Sequence, residues 1–87
     1  MKGASVTEQI DYTLDITTEV CPLTFVKTKL LIEKMRPGQV AEVRLKGAEP
    51  LGNVPRSVGE LGHEILSMTA EDGEPATGIH RLRLRKV

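Results

Sequence analysis

Aromatic side chains are almost missing from this chain: of 87 residues only Tyr12 and Phe25 carry a ring, and tryptophan is absent. A core must therefore be assembled from Leu, Ile, Val and Met, and there is no set of aromatic platforms on which nucleic-acid bases would stack. Net charge is missing as well. Twelve basic and twelve acidic residues leave a formal charge of +0, so no long-range field draws the chain toward nucleic acid or an anionic membrane. No apolar run approaches the ~20 residues of a membrane-spanning helix, and residues 1–9 lack the apolar stretch of a secretion signal. These absences predict a cytoplasmic protein with no membrane partner. Cysteine occurs once, at Cys21, which excludes an internal disulfide and fits a reducing compartment. His63 and His80 stand far apart and make no metal-ligand spacing with a single cysteine. Nor is there a Gly-rich loop ending in Gly-Lys-Ser/Thr. Neither a metal nor a cofactor is expected.

What is present suits one domain over residues 1–87, near the lower size limit for a self-sufficient core, with residues 1–9 expected to be flexible. Between residues 10 and 16, Ile10, Tyr12, Leu14 and Ile16 alternate with Asp11, Thr13 and Asp15, the period of a strand with one buried face. After a short connection, Pro22 fits the first turn of a helix. That helix is predicted over residues 22–35, closed by Arg36-Pro37-Gly38, with Leu23, Val26 and Leu30 as one apolar stripe and Phe25 and Ile32 on another side, a pattern that fits a helix covered on two sides. Residues 39–46 alternate again and predict a second strand. Residues 47–52 read as a turn. Asn53 then caps a helix running to Leu61, because Val54, Val58 and Leu61 recur at helical spacing and Gly62 can close it. Residues 63–70, with Leu66, Met68 and Ala70 on one face, and residues 79–86, with Leu82 and Leu84 on one face, predict a final hairpin. The order βαβαββ implies an α+β fold: a two-layer sandwich with two helices on one face of a four-stranded mixed sheet.

Cys21 is the candidate catalytic residue. It immediately precedes the helix-opening Pro22, where unpaired backbone N–H groups and the positive end of the helix dipole favour an anion. Such a site lowers a cysteine pKa from its ordinary value of about 8.5 and raises the nucleophilic thiolate fraction. The same donors, near Leu23 and Thr24, are expected to stabilise a persulfide anion, whose charge lies one sulfur further out. One thiol is sufficient to take a sulfur atom from a donor and present it to an acceptor.

The run Leu14-Asp15-Ile16-Thr17-Thr18-Glu19-Val20-Cys21-Pro22-Leu23-Thr24, followed by Arg36-Pro37-Gly38 and a strand, resembles the TusA (SirA-like) family of sulfur-carrier proteins. The likeness runs to Leu84-Arg85-Lys86. It implies a βαβαββ sandwich and a cysteine in a Cys-Pro-x-Pro motif that accepts persulfide sulfur from a cysteine desulfurase or rhodanese-like donor and relays it to a downstream acceptor protein. Cys21 and Pro22 match that motif. Thr24 stands in place of its second proline and Thr18 in place of a preceding glycine. A threonine restores a backbone N–H in the first turn and adds a hydroxyl.

The resemblance also places Lys29 at a position basic in relatives, and Glu49 with Pro50 at an acidic residue and proline ahead of the second helix, where the acid contributes to partner recognition. Lys27 reads as a solvated helix face. Asp15 and Glu19 would oppose thiolate formation close to the sulfur, so capping or docking is expected of them. Arg81, Arg83 and Arg85 alternate with apolar residues and define a competing phosphate-binding stripe; a solvated outer face explains the same pattern. Three functions compete: a sulfurtransferase carrier acting through Cys21, a non-enzymatic interaction module in which Cys21 is incidental, and a nucleic-acid binder using the basic tail. The first is the reading adopted from the sequence.

Overall fold

The computed structural model describes residues 10–20 and 22–87; the expectations for residues 1–9 and for Cys21 itself lie outside the described residues. Six elements follow the predicted order: β1 (Tyr12–Asp15), α1 (Leu23–Lys34), β2 (Val40–Leu45), α2 (Ala48–Glu60), β3 (Glu64–Ala70) and β4 (His80–Arg85). The strands form one mixed sheet in the order β1-β2-β4-β3. β1 runs parallel to β2, with Leu14 opposite Val43, and both other pairings are antiparallel. The helices cover one face, giving the expected α+β sandwich.

Alternation in β2 and β4 sets the core. Val43 lies opposite Leu82 and Ala41 opposite Leu84, so these four side chains share one face of the central pair. With Leu45, Ile16, Ile32, Met35, Val54 and Val58 they make a wholly aliphatic buried cluster, as the scarcity of aromatics requires.

Three expectations are corrected. First, α2 begins at Ala48 rather than after Asn53, so the stretch read as a turn is its first turn and Glu49 and Pro50 lie inside it. A proline near a helix start removes only an N–H that has no intrahelical partner, which is why the local turn signal misled. The true boundary is Gly47, whose φ of 106° belongs to glycine and where an added Cβ would sit 3.3 Å from Pro50 Cδ. Second, Leu66, Met68 and Ala70 do not share a simple face. A register irregularity between Ile65 and Ser67 sets Ile65 opposite Leu84 and Met68 opposite Leu82, with Leu66 as the extra residue of a bulge. Third, the apolar stripe assigned to α1 is not its buried face, as described below.

The other face of the sheet is a lattice of ion pairs. Arg44 reaches both Asp15 (2.6 Å) and Glu71 (2.8 Å), Arg81 meets Glu71 (2.9 Å), Arg83 meets Glu42 (3.1 Å), and Arg85 pairs with Glu64. An open concavity of about 340 Å³ on this face is lined by Glu42, Glu71, Arg81 and Arg83 among others. Every arginine of the predicted phosphate-binding stripe already has a carboxylate, so the tail presents a balanced face in place of a positive one. Hydrogen bonds from Arg44 and then Arg81 hold the Glu71 carboxyl down at about 2. Hydrogen bonds from the Thr17 amide and hydroxyl lower that of Asp15. Among the described residues no helix is long and apolar enough to cross a membrane.

Because the folded-state pKa of Glu71 lies below its ordinary value of 4.5, its contribution to stability is fully present above that ordinary value and disappears as pH falls toward 2. Urea unfolding midpoints measured between pH 7 and pH 2.5 should therefore drop through the acid range, and Glu71→Gln should reduce that drop. In a separate test, Gly47→Ala should lower the unfolding free energy at pH 7 by about 1–3 kcal/mol.

Candidate functional site

The loop between β1 and α1 is pinned at both ends. At its start, Asp15 Oδ1 accepts from the Thr17 amide at 2.9 Å and the Thr17 hydroxyl at 2.7 Å, a local turn favoured by Asp. Asp15 Oδ2 meets Arg44, and Ile16 is buried with its amide donating to the Arg44 carbonyl at 2.9 Å. Next, Glu19 N–H donates to Ile16 O at 3.1 Å. The Glu19 carboxylate takes Lys27 Nζ at 2.6 Å from one and a half turns along α1. Asp15 and Glu19 are thus loop anchors, and Lys27 is a clamp on the loop and more than a solvated lysine. A half-exposed pair of this kind contributes at most about 1 kcal/mol, but it ties the loop at Glu19 to α1.

The head of α1 differs from expectation by one residue. Pro22 is the N-cap, with φ −90° and ψ 6°, and no side chain caps the helix. Leu23 N–H donates to Val20 O at 2.8 Å and Val26 N–H to Pro22 O at 3.0 Å. The Leu23 amide, expected to face the sulfur, is therefore taken by the loop. This tight turn leaves both neighbours of Cys21, Val20 and Pro22, exposed to solvent.

Thr24 is completely buried, which places its side chain in the helix–sheet interface and not on the surface beside the motif. Its carbonyl accepts the hydroxyl of Thr28, equally buried, at 2.8 Å. Threonine has nearly the shape of valine, and this backbone bond satisfies its one donor, so a polar residue is accepted in the core. The buried face of α1 thus runs Thr24, Thr28, Ile32, continued by Met35. Successive helix residues turn by about 100°. Leu23, Val26 and Leu30 consequently lie on the opposite, solvent side, and they remain 45%, 41% and 52% exposed.

Lys29 is exposed on the flank of this stripe. Glu49 is exposed in the first turn of α2, where a carboxylate is favoured by the helix dipole alone. His63 Nδ1 accepts from the Val87 amide at 3.2 Å, and His80 Nδ1 lies 2.9 Å from Gly78 O; the two rings serve loop and chain-end contacts. At the far end of α1, Lys86 Nζ donates to Met35 O at 2.8 Å, a cation at a helix C-terminus that ties the last strand to the helix. Sequence reasoning missed that contact and the Glu19–Lys27 clamp, since both depend on residues brought together by the fold.

The family model for sulfurtransferase TusA matches residues 12–86, spanning every helix and strand. The chain belongs to the TusA family. Among its relatives is a protein of Archaeoglobus fulgidus named "Putative sulfur carrier protein", 47% identical over 55 residues, which are 63% of this chain and 62% of that protein. The chain thus matches less than two thirds of that relative's length. A Thermotoga maritima protein with the same name is 38% identical over 60 residues, 69% of this chain and 76% of its own. The crystal structure of a SirA-like protein from Desulfitobacterium hafniense superposes with a TM-score of 0.70 at 19% identity, covering 85% of this chain and 95% of that one. It confirms the fold. In this TusA-family chain the second motif proline is replaced by a core residue, Thr24, so the departure lies inside the packing.

The orientation of α1 is testable by stability alone. Leu30→Lys should change the unfolding free energy by no more than about 0.5 kcal/mol, whereas Thr28→Lys, which buries an ammonium, should cost more than about 3 kcal/mol or prevent folding. The reverse ranking in chemical denaturation would put Leu30 in the core.

Proposed function

We propose that this chain is a sulfur carrier in which Cys21 accepts a persulfide sulfur from a donor protein and hands it to an acceptor. The observation that carries this reading is the exposed N-cap Pro22 of α1, which directly follows Cys21 in the sequence, in a chain of the TusA family.

The Cys21 thiolate attacks the outer sulfur of a donor cysteine persulfide; the S–S bond of the donor breaks and its cysteine leaves as thiolate. Cys21 then bears the persulfide, with one S–S bond formed for one broken and no net redox change. In the second step a nucleophile of the acceptor attacks that outer sulfur and the Cys21 thiolate departs. Both forms at Cys21 are anions, so the positive end of α1 favours both. The Leu23 amide is engaged with Val20 O, and the helix dipole takes the role first given to it. Pro22 fixes the start of the helix. A cysteine desulfurase or a rhodanese-like protein is the donor, and Lys29 and Glu49 contribute to partner recognition from the exposed surfaces of the two helices. The reaction takes place in the cytoplasm.

The replacement of proline by Thr24, which motivated the alternative of an interaction module with an incidental thiol, has its own explanation in the core, and the exposed flanks of Cys21 favour chemistry. Incubation with polysulfide should add the mass of one sulfur atom in intact-mass spectrometry, and Cys21→Ser should abolish the gain. No gain in the wild type would sink the carrier reading. Alkylation rate against pH should give a Cys21 thiol pKa below about 8.5.

A further inference from the structure

β3 is the longest strand of the sheet, with seven residues against four in β1 and six each in β2 and β4, and it lies at an edge. Edge strands present unpaired backbone groups that invite another chain, and proteins ordinarily blunt them with shortness, charge or proline. The opposite edge is blunted. β1 has four residues, ends at Asp15 and follows Asp11, whose carboxylate accepts the Val40 amide at 2.9 Å. β3 has little such protection. Between Glu64 and Ala70 there is no lysine, arginine or proline, and the one charge, Glu64, is taken by Arg85. Ile65-Leu66-Ser67-Met68-Thr69-Ala70 is an uncharged run of the composition that pairs with copies of itself. The bulge at Leu66 is its one irregularity, and from Ser67 to Ala70 the register against β4 is regular.

The free edge has a definite pattern. Glu71 N–H donates to Ile79 O at 3.0 Å, and hydrogen bonds alternate along an antiparallel strand. Ser67 and Thr69 therefore bond toward β4, and the N–H and C=O of Met68 and Ala70 point away from the sheet. Among the described residues β4 is the one neighbour of β3, and no other backbone hydrogen bond reaches residues 64–70. The side chains divide as well. Ile65 and Met68 stand opposite the buried Leu84 and Leu82, on the helix side, yet are 36% and 38% exposed. Ser67 and Thr69 line the concavity of the open face.

We infer that β3 is the contact through which two copies of this chain join, antiparallel about a twofold axis at Met68, so that two four-stranded sheets become one. In that register the two Met68 residues exchange both backbone bonds and pack on each other on the helix side. Ser67 faces Thr69 on the open side, a hydroxyl pair of the kind that stabilises antiparallel strands. Three features select a second copy over a foreign strand. The register is self-complementary and keeps the helices of both copies on one face, so their exposed apolar rims meet. Glu64 and Glu71, which bound the strand, are already paired with Arg85 and with Arg44 and Arg81, so joining sets no bare acids against each other. The contact also closes, because it consumes the unblunted edge and leaves only β1 at the ends. It buries on the order of 1,000 Å² in all, the lower end of a specific interface, which sets dissociation in the micromolar range. β1, which leads toward α1, lies at the far edge of the sheet, so both helix heads stay uncovered and the pairing is independent of sulfur chemistry at Cys21.

Sedimentation of the wild-type chain between ~5 and ~500 µM should show a reversible monomer–dimer equilibrium. Met68→Lys, which sets two ammonium groups opposite each other at the axis, should weaken it roughly tenfold or more. Ala70→Pro should do the same, since it removes an outward N–H and leaves the ladder with β4 intact. Leu30→Lys on α1 should leave the dimer unchanged. In the wild type, exchange of the Met68 and Ala70 amides with solvent should slow as concentration rises, a readout that stands even if neither β3 variant folds. A chain that stays monomeric throughout, or Met68 and Ala70 exchange that ignores concentration, would overturn the inference. A dimer that survives both β3 variants, or that Leu30→Lys dissolves, would do so too.

Discussion

The rotation of α1 about its own axis is the constraint on which the rest of the molecule depends. Thr24 and Thr28 face the sheet because their small β-branched side chains fit a close approach, and because the Thr28 hydroxyl finds the Thr24 carbonyl one turn back. Larger side chains in their place would overfill an interior packed at crystalline density. Once that face is inward, the opposite one is fixed as well. Leu23, Val26 and Leu30 must point to water, and the Leu23 amide bond to Val20 O holds the end of the preceding loop against the head of the helix.

The two faces of the sheet divide the work of stabilisation. On the helix side a purely aliphatic cluster supplies burial. On the open side arginines and carboxylates pair across β1, β2, β3, β4 and the segment after β3, and Arg44 joins Asp15, where the loop to α1 begins, to Glu71 just after β3. Each exposed pair is a small contribution. Together they keep the outer face neutral and place an anchor, Asp15, where the loop leaves the sheet.

On the carrier reading proposed above, the arrangement has a simple logic. The chemistry needs one thiol, a favourable electrostatic environment for its anion, and access for partners, and it needs no pocket for a small substrate. On that reading the helix head supplies the electrostatics, while the ion pair between Glu19 and Lys27 ties the loop to α1. On that reading selectivity rests with the exposed surface at the head of α1, where Val20 and Leu23 leave aliphatic side chains in water.

Element types and their order were legible in the chain, because the alternation in 10–16, 39–46 and 79–86 and the Pro-Gly stop after α1 each act over a few neighbouring residues. The position proposed as reactive was read from a local motif, Cys21 beside Pro22. The start of α2 was hidden by Pro50, which reads as a turn signal and is also at home in a first helical turn. The bulge at Leu66 was hidden because an extra residue is a property of two paired strands, and the loop clamp because eight residues separate Glu19 from Lys27. Above all, the sequence by itself determined that α1 carries Leu23, Val26 and Leu30 on one side and Thr24, Thr28 and Ile32 on another. Which side turned inward was decided only in the tertiary structure, where the fit against the sheet and the satisfaction of a hydroxyl outweighed the greater hydrophobicity of the leucine stripe.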